Sequence, residues 1–347
     1  MMASSFLTYA AFAVVCLLLL TLPFVPAFRE WLRPTDLLAL PISANYTSDI
    51  DHFARRLHAD ALAKLGDGPS TGYEDFEFLP DHPDAEVWKG AGKRLIARRN
   101  IVSKDAIESK RPLYVQGDLQ AGAKSAFSAV YATGDIGLGA GSEIHDWAHA
   151  DGVLRVGGNA MALRRVSAGV AIALGNDTWF ERLHAPSLYF GSNYGTGPAP
   201  YSGTPTDASY ADLPDAVQQT PLLFLIRGNC ALPPDSVFRG SLVVTGFLTI
   251  GMGTTVVGDI KAREGVSMGY GAEVHGAVTC EKRVYVFKQA KAWGPLVSES
   301  DVLIGAGAVI GLPNAQTTVS ANNIIVEDGA TIHGTVWAHE VGMVKAA

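Results

Sequence analysis

Gly240, Gly258, Gly276 and Gly294 stand 18 residues apart, Gly311 follows after 17 and Gly334 after 23. A fixed period of this size marks a chain built by stacking one small unit on itself, and it limits the possible folds more than any other feature. Two residues before these glycines stand Phe238, Val256, Val274, Ala292, Val309 and Ile332, an apolar column expected to supply interior rungs. Eight and ten residues after the first four glycines come Leu248 and Ile250, Val266 and Met268, Val284 and Val286, and Val302 and Ile304. A spacing of two puts both members of a pair on one face of a strand. Such short strands cannot bury that face alone, but equivalent strands from successive units can. The pattern predicts an all-β chain, a β-solenoid with about 18 residues per coil.

The same period runs upstream. Ile136, Leu154, Ile172 and Phe190 are each 18 apart, and Leu95, Ile101, Ile107, Leu113 and Leu119 recur every six. The reading is an N-terminal solenoid half over 93–190, a loop over 191–220 rich in Gly, Pro, Ser, Thr and Tyr, and a C-terminal half over 221–347. A long loop extruded from a compact array is often functional. With 48% hydrophobic side chains the chain can bury a large core, which excludes disorder, and a formal charge of −7 argues against a nucleic-acid partner.

Residues 1–28 carry no charged side chain, and Phe6 to Phe24 is almost wholly apolar, which predicts one transmembrane anchor. A cleaved signal peptide needs a basic n-region and a small-residue cleavage site, and neither is clear. Arg29, Trp31 and Arg33 form a basic and aromatic border that favours a cytoplasmic C-terminal side. Residues 29–92 read as a juxtamembrane helix and an acidic linker. Ser48 is the expected cap, Ile50, Phe53, Leu57, Ala61 and Leu65 the apolar face, and Gly66 the stop. Between Asp67 and Glu86 lie seven acids and no Lys or Arg.

Chemistry-bearing residues are sparse. His145-Asp146-Trp147-Ala148-His149-Ala150-Asp151 is the densest polar group, read as a solvent-facing turn between coils rather than a metal or acid-base site. His275 and His333 are expected to point outward. Gly137, Gly139 and Gly141 lack the Lys-Ser/Thr of a phosphate loop, and Cys230 and Cys280 lack zinc spacing. No catalytic residue, cofactor or metal is expected. The six-residue spacing of Ile250, Val256, Ala262, Met268, Val274, Cys280 and Val286 keeps a hexapeptide-repeat acyltransferase as an alternative, one that needs a positioned His as general base.

Val256-Val257-Gly258-Asp259-Ile260, Gly265-Val266 and Ala272-Glu273-Val274-His275-Gly276 are spaced as in bactofilin repeats, and the stretch from about Leu222 to Val336 resembles that family. The resemblance implies a right-handed three-sided parallel β-helix that assembles end to end into nonpolar filaments without nucleotide, often at the cytoplasmic face of the bacterial inner membrane. The chain departs from the family in its additional solenoid half and its large loop. The expectation is a membrane-anchored structural protein whose partners are copies of itself or envelope and polysaccharide assembly proteins. A monomeric tethered adaptor for such an enzyme is the second reading. The apolar terminus, with Val336 and Trp337, is the expected assembly end.

Overall fold

A computed structural model of the chain describes residues 2–25, 28, 50–66, 75–80, 83, 85–90, 92–192 and 201–346, with the side chains of 2–9 and 85 outside that description. Two compact units result, residues 1–48 and 49–347. The first holds helix α1 (Met2–Thr21) and a 3-10 turn (Leu22–Phe24) with proline near its start. The Thr21 hydroxyl donates to the Leu17 carbonyl at 2.9 Å, partnering one of the carbonyls a helix end leaves open. Among the described residues no helix is long and apolar enough to cross a membrane. Arg29, Trp31, Arg33 and Ser48 lie outside the described residues.

In the second unit α2 (His52–Leu65) ends where expected, at Gly66 in the left-handed region with φ 88°. Its buried side is Ala54, Leu57, Asp60 and Ala61, whereas Phe53 is exposed. A short α3 (Ala85–Lys89) follows. The rest is a β-solenoid of about 14 turns. Each coil contributes three strands in succession, for example Ser241–Val244, Phe247–Ile250 and Thr255–Val257. Each pairs in parallel with the strand 18 residues on, through Leu242↔Ile260, Leu248↔Val266 and Val256↔Val274. The repeating glycines are explained by close approach. A Cβ on Gly258, Gly276 or Gly294 would sit inside contact distance of the carbonyl oxygen of the glycine one coil back. Only the smallest residue permits coils this near.

The interior column is Phe238, Val256, Val274, Ala292, Ile310 and Ile332, each no more than 1% exposed. Val309 is thereby corrected. It pairs with Lys291 on the outer side, and Ile310 takes the rung. The cause is the 17-residue interval before Gly311, since counting back from a glycine that has moved by one residue lands on the opposite face of the strand. The first strand, Phe76–Phe78, pairs with Arg94–Ile96, so the solenoid begins one coil before Lys93.

The halves are not stacked in chain order. Strand Trp179–Phe190, ending the first half, pairs antiparallel with Thr331–Lys345, ending the second. Leu183 faces Val336, Leu188 faces Ile332 and Phe180 faces Gly342, where a Cβ would strike the Phe180 ring. The chain reaches the far end of the second half before winding it back. Thr206–Ala208 pairs with Ser236–Phe238, and the Tyr201 hydroxyl donates to Asp235 Oδ1 at 2.5 Å. Residues 193–200 lie outside the described residues. One hydrophobic core runs without a break from Trp88 through Phe180 and Val336 to Phe224.

Candidate functional site

In a β-solenoid the surfaces left open by the stacking are the coil ends, because an end exposes unpaired strands. Val336 and Trp337, expected at a free end, are instead inside the junction. Val336 is fully buried opposite Leu183, and the Arg182 guanidinium lies 3.7 Å above the Trp337 ring. The reversal of chain direction is the physical reason: the last coil has a successor, supplied by the first half. His333, expected outward, is 8% exposed. Its Nδ1 lies 3.1 Å from the Pro186 carbonyl oxygen and from Ser187 Oγ. A carbonyl only accepts, so this geometry assigns the proton to Nδ1. His184 Nδ1 lies 2.9 Å from Thr335 Oγ1, a second polar tie across the seam.

Both outer ends are therefore first coils, and each carries a non-coil cover. At one, Trp88 of α3 packs into the core, and buried Arg111 ties the cover together. Its guanidinium donates to Glu77 Oε2 at 2.8 Å and to the Val87 carbonyl. At the other, the expected extruded loop folds back over the coil. Tyr210, in a 3-10 turn (Tyr210–Asp212), is 1% exposed, stacks 4.8 Å from Phe238 and lies 5.1 Å from Phe224. Burial raises its phenol pKa well above the ordinary value. Strand Ala216–Thr220 then pairs antiparallel with Leu223–Ile226. Tyr210→Ala is expected to cost about 3–5 kcal/mol, the scale of emptying a buried aromatic site. A denaturant titration showing less than about 1 kcal/mol would mean that Tyr210 is no plug.

The segment expected to be a turn at His145–Asp151 is mostly strand, Glu143–Ala150. Its His149 joins an outward-facing stack that α2 covers. Tyr114 and Tyr131 are 5.3 Å apart, Tyr131 and His149 5.2 Å, and His58 of α2 lies 4.8 Å from Tyr131. His149 Nδ1 is 2.8 Å from Ser167 Oγ, and Nε2 is 3.2 Å from Asp151 Oδ1, which also accepts from the Tyr131 hydroxyl at 2.6 Å. Serine, histidine and aspartate in hydrogen-bonded sequence are the parts of a nucleophilic triad. Here Ser167 is 3% exposed, and the cavity beside α2 is lined by Phe53, Arg56, Leu57, Arg94, Pro112 and Trp147 instead. The network's chemistry as placed is to hold α2 against the sheet, together with the 2.7 Å Arg94–Asp60 ion pair.

Burial is the main cause that lowers the pKa of His149, opposed by Asp151, and it lowers that of His184, opposed by Asp51. A lowered imidazole binds protons more weakly folded than unfolded, so stability is full above the unfolded value near 6.5 and falls as pH drops below it. The melting temperature is expected to fall between about pH 6.5 and 5, and His149→Gln to flatten part of that slope. An identical slope in wild type and variant would refute the assignment.

His275 is exposed as expected and pairs with Glu273 Oε1 at 2.8 Å. Cys230 and Cys280 are buried and unpaired, and burial pushes the Cys230 thiol up to about 11. Among the described residues no group of three or more His, Cys, Asp or Glu is placed to hold a metal ion. No protein-family model, curated protein or solved structure matches the chain.

Proposed function

We propose that the chain is a membrane-anchored structural protein of bactofilin-like character, a right-handed three-sided β-helix that scaffolds envelope machinery without nucleotide. Residues 1–28 tether it to the bacterial inner membrane, and the solenoid stands in the cytoplasm. The observation that carries this reading is the single core running through both halves, closed at each outer end by Trp88 and Tyr210. A rod of about 14 turns at about 4.8 Å per coil is about 65–70 Å long, a fixed spacer for partners along its faces. Electron microscopy of the full chain in detergent should show discrete rods of that length. Compact globules would overturn the reading. A C-terminal reporter active only in the periplasm should stay silent, and activity would reverse the orientation.

Self-assembly is a second reading, favoured by the outermost strand Ala216–Thr220, which exposes Val217, and by Val102, 76% exposed at the opposite end. Filaments of many lengths in the same micrographs would select it over the closed rod.

A further inference from the structure

On the face that carries α2, Trp147, Arg165, Arg182 and Trp337 occupy successive rungs of one outward column that crosses the junction. The two central rungs carry the same charge. Like charges directly opposite on neighbouring strands are destabilising, and several other basic side chains of the solenoid sit against carboxylates instead. Arg155 lies 3.3 Å from Asp135, Arg283 2.7 Å from Asp301 and Arg263 3.3 Å from Glu281, and Lys282 pairs with Glu264. Arg165 and Arg182 have no carboxylate within ion-pair distance among the described residues, Glu181 acting on Arg182 only from farther away.

Aromatic rings hold both guanidinium groups. Arg182 lies on Trp337 at 3.7 Å, and Arg165 is 5.0 Å from the Phe53 ring centre. Neither has a hydrogen bond to a described residue, so the planar forks are positioned with their donors unspent. Next to Arg165, which pairs with Trp147 and lies over Phe53, is a cavity of about 250 Å³ lined by Phe53, Arg56, Leu57, Arg94, Pro112 and Trp147.

We propose that Arg165 and Arg182 bind the phosphate group of an organic phosphate whose ring or apolar portion enters the Phe53–Trp147 cavity. A phosphate monoester or pyrophosphate has enough charge and acceptor oxygens to engage two forks one strand spacing apart, about 4.8 Å, whereas a single carboxylate fills one. The bound anion removes the repulsion the two arginines otherwise suffer. The site stands on these contacts and is independent of the scaffold reading above.

The test is calorimetric titration of inorganic pyrophosphate into the full chain in zwitterionic detergent at low salt. Saturable one-to-one binding is expected. Arg165→Gln and Arg182→Gln should each weaken it at least tenfold, Arg182→Lys should weaken it by losing the fork, and Arg155→Gln should leave it within twofold. Competition separates the two sources of the group. Tighter binding of a short-chain phosphatidate than of pyrophosphate identifies a lipid headgroup, and tighter binding of a soluble sugar or nucleoside diphosphate identifies a free ligand. No saturable binding to the wild type at millimolar pyrophosphate overturns the proposal. So does binding that both glutamine variants leave unchanged, and thermal melting shows that those variants are folded.

Discussion

Val274→Asp is expected to lose several kcal/mol of stability, enough to unfold much of the second half at growth temperature. Val274 is fully buried on the rung between Val256 and Ala292, so the carboxylate would sit between apolar side chains with neither water nor a cation. The neighbouring change His275→Asp places the same group on the outer side, where the histidine side chain is 44% exposed, and should cost about 0.5 kcal/mol or less. Chemical denaturation of the two variants side by side checks the inside-outside phase of the solenoid. Equal costs would contradict it.

Val336→Arg is the second large effect. Val336 is completely buried against Leu183, and the change puts an unpaired cation into the seam between the halves. A loss of about 3–5 kcal/mol is expected, the scale of an uncompensated buried charge. Because the halves share one core, the melting temperature of the whole solenoid should fall while sedimentation still reports the wild-type oligomeric state. A variant with unchanged melting but altered assembly would place Val336 at an intermolecular end instead.

The solenoid was legible because its period is written into the chain: close coils demand glycine at one corner, and each rung demands an apolar side chain 18 residues on. The phase failed at Val309, where a 17-residue interval shifts the glycine without shifting the rung, and only the pairing of Ala292 with Ile310 reveals it. The junction left no local mark. Leu183, Leu188, Ile332 and Val336 have the same apolar alternation whether their neighbour runs parallel or antiparallel, so the pattern cannot tell an end from a seam. Tyr210 looked like loop because aromatic residues in Gly- and Pro-rich stretches carry no period, although a lone Tyr-Ala-Asp turn before a new run of strands was the available signal of a plug. The Ser167–His149–Asp151 network was half visible, as His149 and Asp151 stood out while their partner lay one coil away. The helix that covers them was placed in the sequence, and Ile50, Leu57 and Ala61 of its expected apolar face are buried, whereas Phe53 is exposed.

The antiparallel junction of the two halves can be tested by a single cross-link. His184 and Thr335 lie directly opposite in the pairing, a geometry whose Cα separation of about 4.5–5.5 Å suits a disulfide. In a chain with Cys16, Cys230 and Cys280 replaced by alanine, His184→Cys combined with Thr335→Cys should oxidise within one molecule. The product should run as a monomer of altered mobility on a non-reducing gel, independently of protein concentration. A folded double variant that forms only cross-linked dimers, or no bond at all, would contradict the joining of the two halves within one chain.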